Sequence, residues 1–405
     1  MSHPHYEGEG LFMDWLKGLI DLPWWGYLVA AYILTHITLI SVTLFLHRYQ
    51  AHRGLDMHPI ASHFFRLWLW LTTGMVTKEW VAVHRKHHAR CETPDDPHSP
   101  QIYGLKKVLW QGAELYKKES VRQDTLEKFG YGTPDDWVER HIYSKHSILG
   151  IVLLFIIYFA VFGVNGVWMW AVQMMTTPFS AAGVINGVGH FLGYRNFENE
   201  DASTNIVPWG ILICGEELHN NHHTFGTSAK FSYKWWEFDI GWMYIRMLSC
   251  LGLVKVRKVA PKLQHTQPKE LDEASLQAII ANRYALAAKY AKLAKHTIST
   301  EVARLKQNAH LPQMGLRPVK RIKIWLKQDA KDTPAADHTP LQAVLSQSPL
   351  LNTVYHMRQD LARLWERSNL TREQLLQHLQ IWCQRAEQSG ITVLKEFAQR
   401  LRRVR

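Results

Sequence analysis

Apolar positions are unevenly spread along this chain. Residues 1–253 hold nearly all the long apolar runs, and the remaining third is polar and basic. Three runs are long enough to cross a bilayer as helices. The first, residues 24–46, would extend about 34 Å. Residues 147–164 and 167–188 follow as a pair, with Asn165-Gly166 predicting the turn between them. A fourth run, residues 60–76, contains His63 and Arg66, which suits a helix lying in the membrane surface better than one spanning it. Residues 11–20 suit a short interfacial helix. Further on, helical periodicity recurs over 270–307 and 341–404. A Pro- and Lys-rich joint at 311–340 separates the two stretches, and Thr371 and Gln374 fit a capping box in the second. The pattern predicts an all-α integral membrane protein: transmembrane helices, a cytoplasmic helical cap, and a soluble helical C-terminal region. The boundaries expected are 1–23, 24–258 and 259–405.

Charge orients this arrangement. Before Trp24, Glu7, Glu9, Asp14 and Asp21 stand against the single Lys17, whereas residues 47–146 and the tail are rich in Lys and Arg. The positive-inside rule places the N-terminus outside and the tail in the cytoplasm, as in a multi-pass protein of a bacterial inner membrane. From Leu251 onward 27 Lys and Arg face 12 Asp and Glu, an excess larger than the +12 of the whole chain. Next to membrane spans, such a tail fits anionic lipid headgroups, and no nucleic acid partner is expected. The 17 tryptophans suit an interfacial belt. The N-terminus lacks the basic stretch of a cleaved signal peptide. None of the four cysteines forms a CxxC pair, so iron–sulfur and zinc-ribbon spacings are absent.

The chemistry lies in the histidines. Of 23, nine form a pattern. One box reads HRYQAH, with His47 and His52. A second reads HRKHH, with His84, His87 and His88, and a third reads HNNHH, with His219, His222 and His223. Between the last two lies NGVGH, with Asn186 and His190. Residues three and four apart share a helix face, so boxes two and three can each converge on a centre. His47 and His52 are five apart, roughly 140° around an ideal α-helix, which suits two adjacent ions better than one. Nine imidazoles exceed the complement of about four to six ligands that one ion takes, so two ions are expected; imidazole suits iron, zinc and copper alike. If residues 60–76 stay in the interface, all three boxes reach one membrane face. Pairs such as His3/His5, and His141, His146 and the tail histidines, read as ordinary surface residues. A His-rich metal transporter would place its ligands near mid-membrane, where only His36 sits well inside a span.

These boxes resemble those of the membrane fatty acid desaturases of the delta-9 type. The resemblance extends to Glu79-Trp80 before box two, Asp96-Pro97-His98 after it, Gly215-Glu216 before box three, and Gly189–Phe197. It covers roughly residues 24–255 and leaves out the tail. It implies an oxygen-dependent enzyme with two iron ions held by the nine histidines, with Asn186 supporting one ion through water, and no catalytic residue beyond these ligands. O2 is the co-substrate, and the products are a cis double bond and two waters. The substrate it implies is an acyl chain on CoA or a phospholipid. Met75, Val76 and Ala82 stand where acyl-CoA-using relatives carry polar residues that hold the nucleotide. Electrons must come from an external ferredoxin-like or cytochrome donor with its reductase. Asp95, Asp96, Glu216 and Glu217 are candidates to orient ligand imidazoles, and Thr176-Thr177-Pro178 to kink a helix along an acyl tunnel. The nearest alternative is a di-iron hydroxylase of the same superfamily acting on alkanes or sterols.

Overall fold

In the computed structural model the described residues are 17–262, 267, 270–307, 324–326, 330, 333–365 and 370–404. Most of the expected helix at 11–20 and of the joint at 311–340 lies outside them. The chain divides into two compact units, Met1–Ala260 and Pro261–Arg405.

In the first unit, α1 (Trp24–Ser41) runs without a break into a π-helical stretch, π1 (Val42–Ala51). Together they form the one helix among the described residues that is long and apolar enough to cross a membrane. Next, α2 (Pro59–Thr73) starts at His58, whose side chain accepts from the Ile60 amide, with Pro59 in the first turn. It ends at Gly74, which takes the left-handed conformation of a C-terminal cap. Its two faces differ: Ala61, Phe65 and Leu69 are buried, while Ile60, Phe64 and Leu67 are exposed. The second box lies on α3 (Thr77–Arg90), and α4 (Leu105–Ser120) follows.

The apolar helix α5 (Ser147–Phe162) is followed by α6 (Val164–Thr177). The reversal falls at Gly163, with φ 57°, two residues before the Asn165-Gly166 expected from sequence. Pro178 does not kink the chain into a break. There α6 passes into a further π-helical stretch, π2 (Pro178–Val188), since a residue without an amide hydrogen favours a change of hydrogen-bond register. Helices α4 and π2 meet at two glycines: a Cβ on Gly112 would lie 2.4 Å from the Ala182 carbonyl oxygen, and one on Gly183 2.5 Å from that of Leu109. The third box forms the short α7 (His219–Thr224), and α8 (Ile240–Cys250) follows. Four short strands tie the loops: β1 (Leu55–Met57) pairs antiparallel with β4 (Val254–Val256), and β2 (Trp209–Gly210) pairs with β3 (Phe238–Asp239).

The second unit is helical: α9 (Glu273–Ala281), α10 (Arg283–Gln307), α11 (Ala335–Gln347), α12 (Pro349–Arg363), α13 (Arg372–Gln388) and α14 (Thr392–Leu401). Pro340, expected in the joint, lies inside α11. The capping box forms, with Thr371 and Gln374 bonded reciprocally. Leu286, Tyr290, Val354, Trp382, Leu394 and Phe397 belong to the apolar core of this unit.

Candidate metal centre and its cavity

Backbone register explains the first box. In π1 the His52 amide donates to the His47 carbonyl, five residues back, at 3.1 Å. A ladder of this kind places residues five apart on one face. His47 and His52 therefore point together, whereas the α-helical expectation had assigned them to separate ions. They join His84, His88 and His222 in a group whose ligand nitrogens all lie within 4.8 Å of one another. His87, His190, His219 and His223 form a second such group. The two stand side by side because His87 and His88, and likewise His222 and His223, are sequence neighbours sent to opposite groups. All nine histidines singled out from sequence are thus brought together. Every His, Cys, Asp and Glu group able to hold a metal ion among the described residues lies in this region of the first unit.

The nitrogens face each other. His47 Nε2 lies 2.9 Å from His222 Nε2, His52 Nε2 lies 2.8 Å from His84 Nε2, and His222 Nε2 lies 3.0 Å from His88 Nε2. In the second group His190 Nε2 is 3.1 Å from that of His87 and 3.0 Å from that of His219. Ligands about 2.1 Å from an ion and at right angles to one another are about 3.0 Å apart. Burial, reinforced by neighbouring imidazoles, pushes the pKa of His84, His88, His219, His222 and His223 well below the usual range. His52 falls to about 3, with burial again the main cause. Rings of this kind are neutral near pH 7 and present lone pairs, as metal binding requires. The donor set fits two ions.

Carboxylates hold several rings from behind. Glu216 Oε1 lies 2.7 Å from His47 Nδ1, Asp96 Oδ1 3.0 Å from His87 Nδ1, Asp201 Oδ2 3.0 Å from His223 Nδ1, and Glu92 Oε1 3.3 Å from His190 Nδ1. A hydrogen bond at Nδ1 fixes the tautomer that leaves Nε2 free for an ion. Asp96 and Glu216 were singled out from sequence; Glu92 and Asp201 were not. Asp95 is exposed, 3.9 Å from Lys86 Nζ, and Glu217 accepts the amides of Ile213 and Gly215, so neither is placed against a ligand ring. Asn186 lines a cavity that His219 also lines.

The flanking motifs are framework. Arg48, fully buried, forms a bidentate pair with Asp239 at 2.9 and 3.0 Å and also donates to Thr43 Oγ1 and to the Ala229 and Cys214 carbonyls. Its guanidinium lies 3.7 Å from the centre of the Phe231 ring. Gly215, at φ 99°, lets the chain pass this clamp: a Cβ there would be 2.3 Å from Asp239 Oδ1. The next residue, Glu216, then reaches His47. Trp80 stacks on His84 with rings 4.9 Å apart. The two asparagines inside HNNHH are anchors: Asn220 accepts the Asn196 and Phe197 amides, and Asn221 donates to Glu237 and the Phe231 carbonyl.

A cavity of about 280 Å³ reaches this centre. His47, His84, His98, Asn186, Glu216 and His219 line it at one part, and Leu39, Val42, Met75, Val76, Ala182 and Ile185 line much of the rest.

Residues 22–246 match the model of the fatty acid desaturase family. The chain belongs to that family. It is 30% identical over 247 residues to an sn-1 stearoyl-lipid 9-desaturase of Anabaena variabilis, covering 59% of this chain and 87% of that one. It is 32% identical over 241 residues to the Synechocystis protein of the same description, covering 59% and 74%. An acyl-CoA 5-desaturase of Anemone leveillei is 28% identical over 262 residues, covering 62% and 77%. The protein is therefore an oxidoreductase that desaturates acyl chains. Residues 263–405 match a transposase family model, a likeness confined to the second unit.

Proposed function

We propose that the protein inserts a cis double bond, at the delta-9 position, into a saturated acyl chain at two iron ions, using O2. The observation that carries this is the paired histidine groups at a mostly apolar cavity. His47, His52, His84, His88 and His222 would hold one ion. His87, His190, His219 and His223 would hold the other, with Asn186 supporting it through water. Iron with O2 supplies an oxidant strong enough to break unactivated C–H bonds, which side chains alone do not provide. The protein's own part is to orient the ligand rings through Asp96, Glu216, Asp201 and Glu92, to exclude water, and to set one C–C bond of the chain against the centre. Two hydrogens leave the chain, and with O2, two electrons and two protons from an external donor they end as two waters.

Met75 and Val76, apolar where the cavity approaches the start of α3, favour a lipid ester over a nucleotide-bearing thioester as carrier. Membrane placement follows the same reading: α1 with π1, then α5, then α6 with π2 crossing an inner membrane, with α2 in the interface and the histidines and tail on the cytoplasmic face. A small acidic electron carrier would dock on that basic face, and turnover driven by it should fall as salt rises. The decisive experiment expresses the chain in a host with no unsaturated acyl chains of its own and maps double bonds by lipid class. Delta-9 alkenes in phospholipids, appearing after lipid synthesis is stopped, are expected; alcohols in place of alkenes would overturn the reading in favour of a hydroxylase.

A further inference from the structure

Outside the two histidine groups, three polar side chains that line the cavity have buried atoms with no hydrogen-bond partner: both ring nitrogens of His98, Tyr116 Oη and Thr177 Oγ1. A buried polar atom left unpaired gives up the hydrogen bonds it made with water and gains none in return. A lining of this kind suits an occupant that brings a polar atom with it. The three positions differ in what they can mean. The His98 ring lies 4.5 Å from the His87 ring and belongs to the surroundings of the metal centre. Thr177 is helical, and a threonine there can turn its hydroxyl to the carbonyl four residues back. Tyr116 has no such local outlet, because its phenol oxygen stands well away from the backbone of its own helix.

Tyr116 lies on α4, next to the exposed Lys117, and both line the cavity together with Glu79 in the first turn of α3. Glu79 is five residues, about 7.5 Å of helix rise, before His84. Tyr116 thus occupies a polar stretch of wall that includes an exposed residue, near the start of the helix that carries box two. Burial, with the Glu79 carboxylate adding to it, raises the Tyr116 pKa, so the phenol remains a donor.

We infer that Tyr116 Oη donates a hydrogen bond to the carbonyl oxygen of the substrate's acyl ester, and so sets which carbons of the chain reach the metal centre. This rests on the reading of the cavity as the acyl site. The methylenes of a saturated chain are alike, and an apolar wall distinguishes poorly between a chain and the same chain shifted by one carbon. A bond at the carbonyl removes that freedom. The double bond then falls at a fixed count from the carboxyl end, whatever the chain length.

The test uses the full-length, iron-loaded enzyme with saturated acyl chains of two lengths, each supplied as a phosphatidyl ester and as a CoA thioester. Wild type should give one double-bond position, the same from the carboxyl end for both lengths. Tyr116→Phe should bind iron as before, lose about tenfold in kcat/KM, which is one hydrogen bond of about 1.4 kcal/mol, and give a spread of positions. Tyr116→Gln, which restores a donor, should narrow that spread. The carrier whose products scatter in Tyr116→Phe is the one whose carbonyl is held. The inference is overturned by a single product position with unchanged kcat/KM in Tyr116→Phe, by wild-type positions that count from the methyl end, or by loss of iron in Tyr116→Phe. Absence of any alkene from wild type would instead overturn the acyl-site reading beneath it.

Discussion

At the scale of the residue, the centre depends on which nitrogen of each imidazole is free. A neutral ring offers one lone pair, so an acceptor behind Nδ1 decides that Nε2 faces inward. Asp96 does this for His87 and Glu216 for His47. Asp96→Asn and Glu216→Gln should each lower iron affinity by about 10–100-fold, read as iron retained after dialysis against graded chelator. Retention equal to wild type in both would remove these carboxylates from the support of the site. Sequence marked both residues, but also Asp95 and Glu217, because neighbours in a chain look equivalent until the backbone turns one inward. It could not mark Glu92 or Asp201, since their link to His190 and His223 exists only once separate loops are packed.

At the scale of the element, what sequence patterns hid was helix register. Spacing of three and four predicted that boxes two and three would each converge on one centre, but both are divided: His84 and His88 join one group and His87 the other, and His222 joins one group while His219 and His223 join the other. Spacing of five looked divergent for box one, and became convergent because π1 closes its bonds over five residues. The close approach of α4 and π2 at Gly112 and Gly183 likewise left only glycine as a trace. Gly112→Val should force these helices apart and shift Ala113 and Tyr116 away from Ala181 and Ala182 across the cavity. Overpacking of this kind costs about 1–3 kcal/mol. The melting temperature and desaturation should both fall, while the same substitution at the exposed Glu114 should leave the melting temperature near wild type. An unchanged melting temperature in Gly112→Val would show that this contact yields freely.

At the scale of the whole molecule, the two units are built differently. The first sets apolar clusters beside polar and charged groups buried around its histidines, whereas the second is built on an apolar core that includes Tyr290, Trp382 and Phe397. A unit with its own core can fold alone. Residues 261–405, expressed by themselves, should be helical by circular dichroism and unfold in one cooperative step in urea; a broad, non-cooperative loss of helix would show that they depend on the first unit. The apolar runs, the helical periodicity, the polar and basic tail and the nine histidines were all legible in the chain, because hydrophobic pattern and ligand type are properties of residues in order. Which histidines share a group, which carboxylates stand behind them, and that a tyrosine from α4 with an unpaired hydroxyl lines the cavity were decided only by tertiary structure. Those facts depend on backbone register and on contacts between residues far apart in sequence, such as His47 with Glu216 and His87 with His190, and the order of residues does not record such distances.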